Sequence, residues 1–166
     1  MTSRTPRSGR STHVGLPPFQ RFLEEHADVV YRFVVASVGP GEAEDVFQET
    51  FLAALRAYPR LRPRSNLRSW VMTIAHRKAM DAHRGRRRRP EPVQEVPDRP
   101  GRAEEDGDPG VWRRVRGLPP KQREAVVLRF VGDLPYNDVA RTMGTTEAAA
   151  RQNVRLALGR LREEMG

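Results

Sequence analysis

The chain has 166 residues, of which 37% are hydrophobic, and its formal net charge is +9. This length allows one domain or two small ones, and the low apolar content favours two small cores. The absence of cysteine excludes disulfides and thiolate metal sites, and the four histidines lack the spacing of metal ligands. The excess of basic residues, almost all arginine, predicts a nucleic-acid partner.

Residues 1–18 are rich in Ser, Thr, Arg, Gly and Pro and lack the apolar stretch of a signal peptide. This composition predicts a disordered basic tail. No later stretch is apolar enough, over enough residues, to span a membrane. We therefore expect a cytoplasmic protein without membrane insertion.

Two amphipathic helices are predicted next. Apolar residues recur at helical spacing from Phe19 to the turn at residues 39–41. A helix broken near Ala27 is the alternative to one continuous helix. The second helix, residues 42–58, starts with acidic residues, which the helix dipole favours there, and Pro59 should end it. Its expected apolar stripe contains Phe47, Phe51, Ala54, Leu55 and Tyr58.

The other face of the second predicted helix is mostly polar and acidic at its start. It carries Asp45, Gln48, Glu49, Leu52 and Arg56. An acidic patch in a basic chain does not serve nucleic acid, so it either lies in solvent or meets a basic protein partner.

A third helix is predicted after an arginine-containing loop, with its cap at Ser65 or Asn66. Its first half is core-like and its second half is basic on several sides. We expect Gly85 to end it, ahead of an arginine run at residues 86–89. That run is expected to contact phosphates, with a solvated charge run as the alternative.

Three side chains of this helix call for separate expectations. Trp70 lies among apolar neighbours and is expected to be a core residue, with stacking on a nucleic-acid base as the alternative. His76 and His83 are expected to be exposed or near phosphates.

Residues 90–110 hold repeated Pro, Gly, Asp and Glu and predict a flexible linker with a reach of roughly 25 Å. It separates a first helical domain, residues 19–89, from a second, residues 111–166. The second domain contains a helix led by Pro119 and Pro120.

A helix-turn-helix is predicted near the end of the chain. A short helix over residues 136–143 is followed by Gly144, by capping Thr145 and Thr146, and by a longer helix. The longer helix has an apolar stripe from Ala150 to Leu161. Its opposite face carries the Arg, Gln and Asn side chains that read base edges in a major groove.

The two domains together resemble the bacterial sigma-70 family of RNA polymerase sigma factors, in its extracytoplasmic-function (ECF) subfamily. The resemblance rests on the run Glu44-Asp45-Val46-Phe47-Gln48-Glu49-Thr50-Phe51, on Trp70-Val71 with Ile74-Ala75 and Asp81, on Leu118-Pro119-Pro120 with Arg123, and on residues 136–161. It implies an all-α fold in which residues 19–89 form region 2 and residues 111–166 form region 4.

The resemblance also implies partners and sites. The partners are core RNA polymerase, through its large-subunit clamp helices and its flap, promoter DNA and an anti-sigma factor. The core-polymerase-binding residues are Asp45, Gln48, Glu49 and Leu52. The minus-ten DNA-binding residues are Asn66, Arg68, Trp70, His76, Arg77, Lys78 and Arg84. The minus-thirty-five DNA-binding residues are Thr146, Arg151, Gln152, Asn153 and Arg155.

The sequence departs from the family at both DNA-reading positions. Many relatives carry asparagine where this chain has Arg77, and often serine and arginine where it has Gln152 and Asn153. The bases that this chain prefers therefore do not follow from the resemblance.

Two other functions fit parts of the sequence. A transcriptional regulator would bind its operator without polymerase, and an architectural protein would need no defined DNA sequence. Neither explains the acidic helix face. The sequence contains no nucleophile–base pair, metal constellation or phosphate-cradling glycine loop, so we expect neither an enzyme nor a cofactor.

Overall fold

The computed structural model describes residues 15–63, 65–88 and 108–166, with the side chains of residues 87, 88 and 109 left aside. Within these residues the fold is all-α, as predicted, and contains no strand. The α-helices are α1 Phe19–Val38, α2 Pro40–Ala57, α3 Leu67–Arg88, α4 Pro109–Arg116, α5 Pro120–Val126, α6 Tyr136–Met143 and α7 Glu147–Met165. A 3₁₀ turn, Tyr58–Arg60, follows α2, and a π-helical segment, Val127–Val131, continues α5. None of the described helices is long and apolar enough to cross a membrane.

Helix α1 runs without interruption, so the break considered near Ala27 does not occur. Only Gly39 separates α1 from α2, at a φ of 83°, which glycine adopts without strain. Pro40 occupies the first helical position, where its missing N–H costs nothing. As a result α2 begins two residues earlier than predicted.

Helix α2 buries Phe51 and Ala54 of the predicted stripe, together with three residues outside it. Ala43, Val46, Thr50, Phe51 and Ala54 are buried. The predicted core position of Leu55 is wrong, because the residue is 50% exposed. Each helical residue is turned by about 100° from the previous one, which places Leu55 beside Leu52 and away from the buried line through Ala54.

An aromatic cluster joins the first three helices. The Trp70 ring lies 5.7 Å from the Phe22 ring and 6.2 Å from the Tyr58 ring, measured between centroids, so Trp70 packs as predicted. The Tyr58 hydroxyl donates a hydrogen bond to the Pro17 carbonyl, and Leu16 packs against the same core. The predicted tail, residues 1–18, therefore extends too far towards α1, because Leu16 and Pro17 contact the folded part. Residues 1–14 lie outside the described part.

Helix α3 begins as predicted but ends later. The Asn66 side-chain oxygen accepts a hydrogen bond from the Ser69 N–H at 3.2 Å, which caps the first turn. Gly85 does not end the helix. Arg86 donates to the Glu42 carboxylate and, at 3.2 Å, to the Val38 carbonyl, and these contacts hold the turn beyond Gly85 against α1 and α2. Side chains 87–89 of the arginine run lie outside the described residues.

The second helical unit comprises α4 to α7. The Asp108 side chain caps α4 by accepting from the Gly110 N–H at 2.9 Å, so the last residues of the predicted linker are structured. The rest of the linker lies outside the described residues. The π-helical turn after α5, in which the Gly132 N–H donates to the Val127 carbonyl at 3.0 Å, was not predicted.

The predicted helix-turn-helix is present. Gly144 ends α6 in the left-handed conformation, with a φ of 66°. The Thr146 hydroxyl caps α7 by accepting from the Ala149 N–H at 3.1 Å. Ala150, Val154 and Ala157 are buried against the rest of the unit.

The two helical units pack against each other. We expected two separate small cores, but the described residues form one continuous hydrophobic cluster. Met72 of α3 is fully buried, and a Cβ added at Gly132 would lie 3.1 Å from its terminal methyl group. Glycine at position 132 therefore permits the close approach of the two units.

Candidate docking and nucleic-acid-binding surfaces

The acidic face of α2 is open to solvent. Asp45, Gln48, Glu49 and Leu52, here called the α2 docking face, are all exposed. The Leu52 side chain is 53% exposed, and the exposed Leu55 lies beside it. Exposed leucines next to carboxylates are typical of a surface that another protein covers. The sequence analysis missed Leu55 because it assigned this residue to the core, although its spacing of three from Leu52 places both on one side.

Helix α7 presents most of its predicted DNA-reading side chains on one side. Arg151, Gln152 and Arg155 are exposed, whereas Asn153 is half-buried. Thr146 is exposed, but its hydroxyl is used by the helix cap. These positions lie near the N-terminus of the helix, which is the part that enters a major groove in helix-turn-helix proteins.

Arg151 is held by two groups. Its guanidinium donates to the Glu147 carboxylate at 2.8 Å, and its Cζ atom lies 4.3 Å from the centroid of the Tyr136 ring. The Arg129 Cζ lies 5.0 Å from the same centroid. Tyr136 is a residue that the sequence analysis missed. Periodicity gives no signal for this contact, because the ring and Arg151 lie on different helices.

The predicted minus-ten residues other than Trp70 fall into two groups. Arg77 and Arg84 are exposed and Lys78 is half-buried, and the Arg84 guanidinium pairs with the Asp81 carboxylate one turn away. Asn66 is exposed at the start of α3, where its side-chain oxygen forms the cap. This first group remains open to solvent.

The second group faces the other helical unit. Arg68 Nη1 lies 3.4 Å from Asp133 Oδ2, and His76 Nε2 lies 3.3 Å from Glu124 Oε2. The predicted exposure of His76 is wrong, because the residue is only 8% exposed. Helix α5 covers it, and sequence periodicity within one helix does not reveal a contact with a distant one.

A hydroxyl pair lies between these two contacts. The Thr73 hydroxyl donates to the Ser69 carbonyl at 2.9 Å, and its oxygen lies 3.2 Å from the hydroxyl oxygen of Thr142. Because a hydroxyl has one proton, Thr142 is the donor in this pair. The face of α3 that carries Arg68, Thr73 and His76 is here called the α3 inner face.

His83 is the second histidine whose predicted exposure is wrong. It is half-buried, and its Nε2 atom has no hydrogen-bond partner among the described residues. Burial lowers the pKa of His83, and the positive charges of Arg123 and Arg86 lower it further, whereas a backbone hydrogen bond to Ser37 and the Glu42 carboxylate oppose the shift. The fold therefore favours the neutral imidazole over the charged form.

The exposed side chains of α2, α3 and α7 suit the binding of a protein and of nucleic acid. Among the described residues, no group of three or more His, Asp or Glu side chains is placed to hold a metal ion. What the arrangement offers is an acidic and apolar protein-facing surface on α2, a basic helix α3, and a helix-turn-helix with arginine and glutamine exposed.

Comparison with known proteins matches both units. Residues 22–89 match the family model of Sigma-70 region 2, and residues 111–161 match that of Sigma-70, region 4. The RNA polymerase sigma factor CarQ of Myxococcus xanthus is 31% identical, with 89% of each chain covered. The ECF RNA polymerase sigma factor SigD of Mycobacterium tuberculosis is 35% identical, over 86% of this chain and 74% of its own length.

Solved structures share the fold. The sigma factor RpoE of Bartonella quintana, in complex with the anti-sigma factor NepR, superposes with a TM-score of 0.73 and 24% identity over 87% of this chain and 94% of its own. CnrH, in complex with the cytosolic domain of CnrY, gives 0.68 and 22% over 89% and 86%. The two family regions in order, together with relatives of this identity and coverage, place the chain in the sigma-70 family, as an ECF RNA polymerase sigma factor.

Proposed function

We propose that this sigma factor docks on core RNA polymerase through the α2 docking face and reads the minus-thirty-five element through α7. The observation that carries the proposal is the exposure of Arg151, Gln152 and Arg155 opposite the buried line of Ala150 and Val154. Within the proposed division, residues 19–89 act as region 2 and residues 111–166 as region 4.

The α2 docking face is proposed to meet the clamp helices of the polymerase large subunit. Its carboxylates, Asp45 and Glu49, are exposed and available to a basic partner, and Leu52 supplies apolar area beside them. Region 4 is proposed to contact the polymerase flap, as the family resemblance implies.

The minus-ten element is proposed to bind along α3 and the loop before it. Asn66, Arg77, Lys78 and Arg84 are accessible to a DNA strand. Arg68 and His76 are engaged by Asp133 and Glu124 of region 4, so their binding to DNA requires region 4 to leave the α3 inner face. Trp70 contributes mainly to packing, since its ring belongs to the aromatic cluster.

The remaining assignments follow from the family. We place the action of the chain in the cytoplasm, where transcription occurs in bacteria, assign it no enzymatic step and no cofactor, and propose an anti-sigma factor as its restraining partner. We assign no preferred promoter bases, because Arg77 and Gln152 depart from the residues common in relatives.

Transcription in vitro with core polymerase tests the proposal. A library of promoter fragments should give specific transcripts only when the chain and core polymerase are both present. Arg151→Ala with Gln152→Ala should reduce that output while leaving polymerase docking through α2 unchanged, because these side chains lie on the other unit. Tight, sequence-specific binding by the chain alone, without transcription, would instead identify a conventional regulator.

A further inference from the structure

We infer that Tyr136 positions Arg151 for DNA reading, and so contributes to base selection without itself reading a base. The inference rests on the proposed function of α7. Arg151 is the fifth residue of α7 and Tyr136 the first of α6, and the guanidinium carbon lies 4.3 Å from the ring centroid. This distance is within the range of a cation–π contact.

The other contact of Arg151 is too weak to fix it alone. The Glu147 carboxylate accepts from Arg151 at 2.8 Å, but the pair is formed between exposed side chains one turn apart. Such pairs favour one side-chain arrangement by about twofold. The aromatic ring therefore supplies a second constraint, from a different helix, on a side chain that has many rotamers.

A second arginine, from the π-helical segment, also lies against the Tyr136 ring. Arg129, in the π-helical segment, donates to the Leu134 carbonyl at 3.2 Å and places its Cζ atom 5.0 Å from the Tyr136 centroid. Contacts thus run from the π-helical segment through Tyr136 to Arg151. The effect is to order a DNA-facing arginine before DNA arrives.

Ordering Arg151 before DNA binds reduces the conformational entropy that its side chain loses on binding. An arginine that contacts a guanine edge needs one planar orientation, and a guanidinium held against a ring has fewer alternatives to give up. We expect removal of the ring to reduce discrimination at the base beneath Arg151 about two- to fivefold. The tyrosine hydroxyl is not needed for this effect.

Holoenzyme binding to a library of upstream elements tests the inference. Tyr136→Leu should relax preference at the same promoter position as Arg151→Ala, and Tyr136→Phe should keep the wild-type profile. The double variant Tyr136→Leu with Arg151→Ala should be no worse than Arg151→Ala. As a matched control, Gln152→Ala should add its full effect to that of Tyr136→Leu.

The outcomes separate this inference from the proposed function. If Tyr136→Leu and Arg151→Ala simply add, while Arg151→Ala is base-selective, Tyr136 does not position Arg151 and the base-reading proposal stands. If the two do not add but both lower affinity evenly across the library, α7 grips the backbone and the contribution of Tyr136 to base selection is overturned. No effect of Arg151→Ala would overturn both.

A measurement on the unaltered full chain guards against a leucine variant that fails to fold. The Tyr136 ring current should shift the side-chain protons of Arg151 upfield, and Arg151→Lys identifies their signals by removing them. Signals at ordinary arginine positions in the wild-type NMR spectrum would overturn the inference.

Discussion

The hydroxyl oxygens of Thr73 and Thr142 lie 3.2 Å apart, one on α3 of region 2 and the other on α6 of region 4. The chain contains no cysteine, so a pair introduced here would form a single defined disulfide. We predict that Thr73→Cys with Thr142→Cys, once oxidised, blocks promoter opening, because region 4 then cannot leave the α3 inner face. Transcription in vitro, with and without reducing agent, measures this.

Each single cysteine variant serves as the control and should transcribe equally well with and without reductant. Full transcription by the oxidised double variant would contradict the requirement for separation, and would mean that the two regions stay together on the promoter.

Charge reversal on the α2 docking face tests the polymerase contact. Asp45→Arg with Glu49→Arg should weaken binding to core polymerase about tenfold or more, since a basic partner would now meet like charges. The matched control is Glu24→Arg with Asp28→Arg, which makes the same change at the same spacing on exposed positions of α1. Equal binding by both double variants would remove α2 from the interface.

The contact between the two units depends on Gly132. A Cβ at this position would lie 2.8 Å from the Leu128 carbonyl oxygen and 3.1 Å from the terminal methyl group of Met72. Gly132→Ala should therefore lower the free energy of unfolding by about 1 to 3 kcal/mol. Gly159→Ala, in α7 with no atom of the described residues beyond the helix's own backbone within 4 Å of the added methyl, should raise it by about 0.5 to 1 kcal/mol. Denaturant unfolding of the full chain compares them.

The half-buried imidazole of His83 predicts sensitivity to acid. Its pKa in the fold is lowered from the ordinary 6.5, first by burial and then by Arg123. The unfolded chain therefore binds the proton more readily, and folding stability is lost as pH falls below about 6.5. His83→Gln, which does not titrate, should show a smaller drop in melting temperature between pH 7.5 and pH 5.5, both chosen to bracket about 6.5. Melting temperatures that fall equally with pH in the wild type and in His83→Gln would exclude His83 as a cause of the acid sensitivity.

The sequence predicted well the features that depend on local signals. Helix α6, Gly144 and the Thr146 cap agree with the structure because glycine in a left-handed turn and a hydroxyl cap are local backbone preferences. The exposed residues of the α2 docking face were also found, since a polar stripe at helical spacing marks the side that no other helix covers.

The features that the sequence missed depend on contacts between distant segments. His76 is polar and lies on a basic helix, and only the approach of α5 makes it a buried partner of Glu124. Gly85 permits a helix end but does not require one, and the Arg86 contacts with Glu42 and Val38 decide that the helix continues. Sequence periodicity did not identify Tyr136 for the same reason, since its partner Arg151 is on another helix.

Met72 lies fully buried where the two regions meet, and this has a thermal consequence. Separation of the regions would transfer apolar surface to water, which raises the heat capacity of the system. The hydrophobic part of the attraction between the regions then weakens on cooling. The equilibrium between packed and separated regions should therefore show a curved rather than a linear van 't Hoff dependence on temperature.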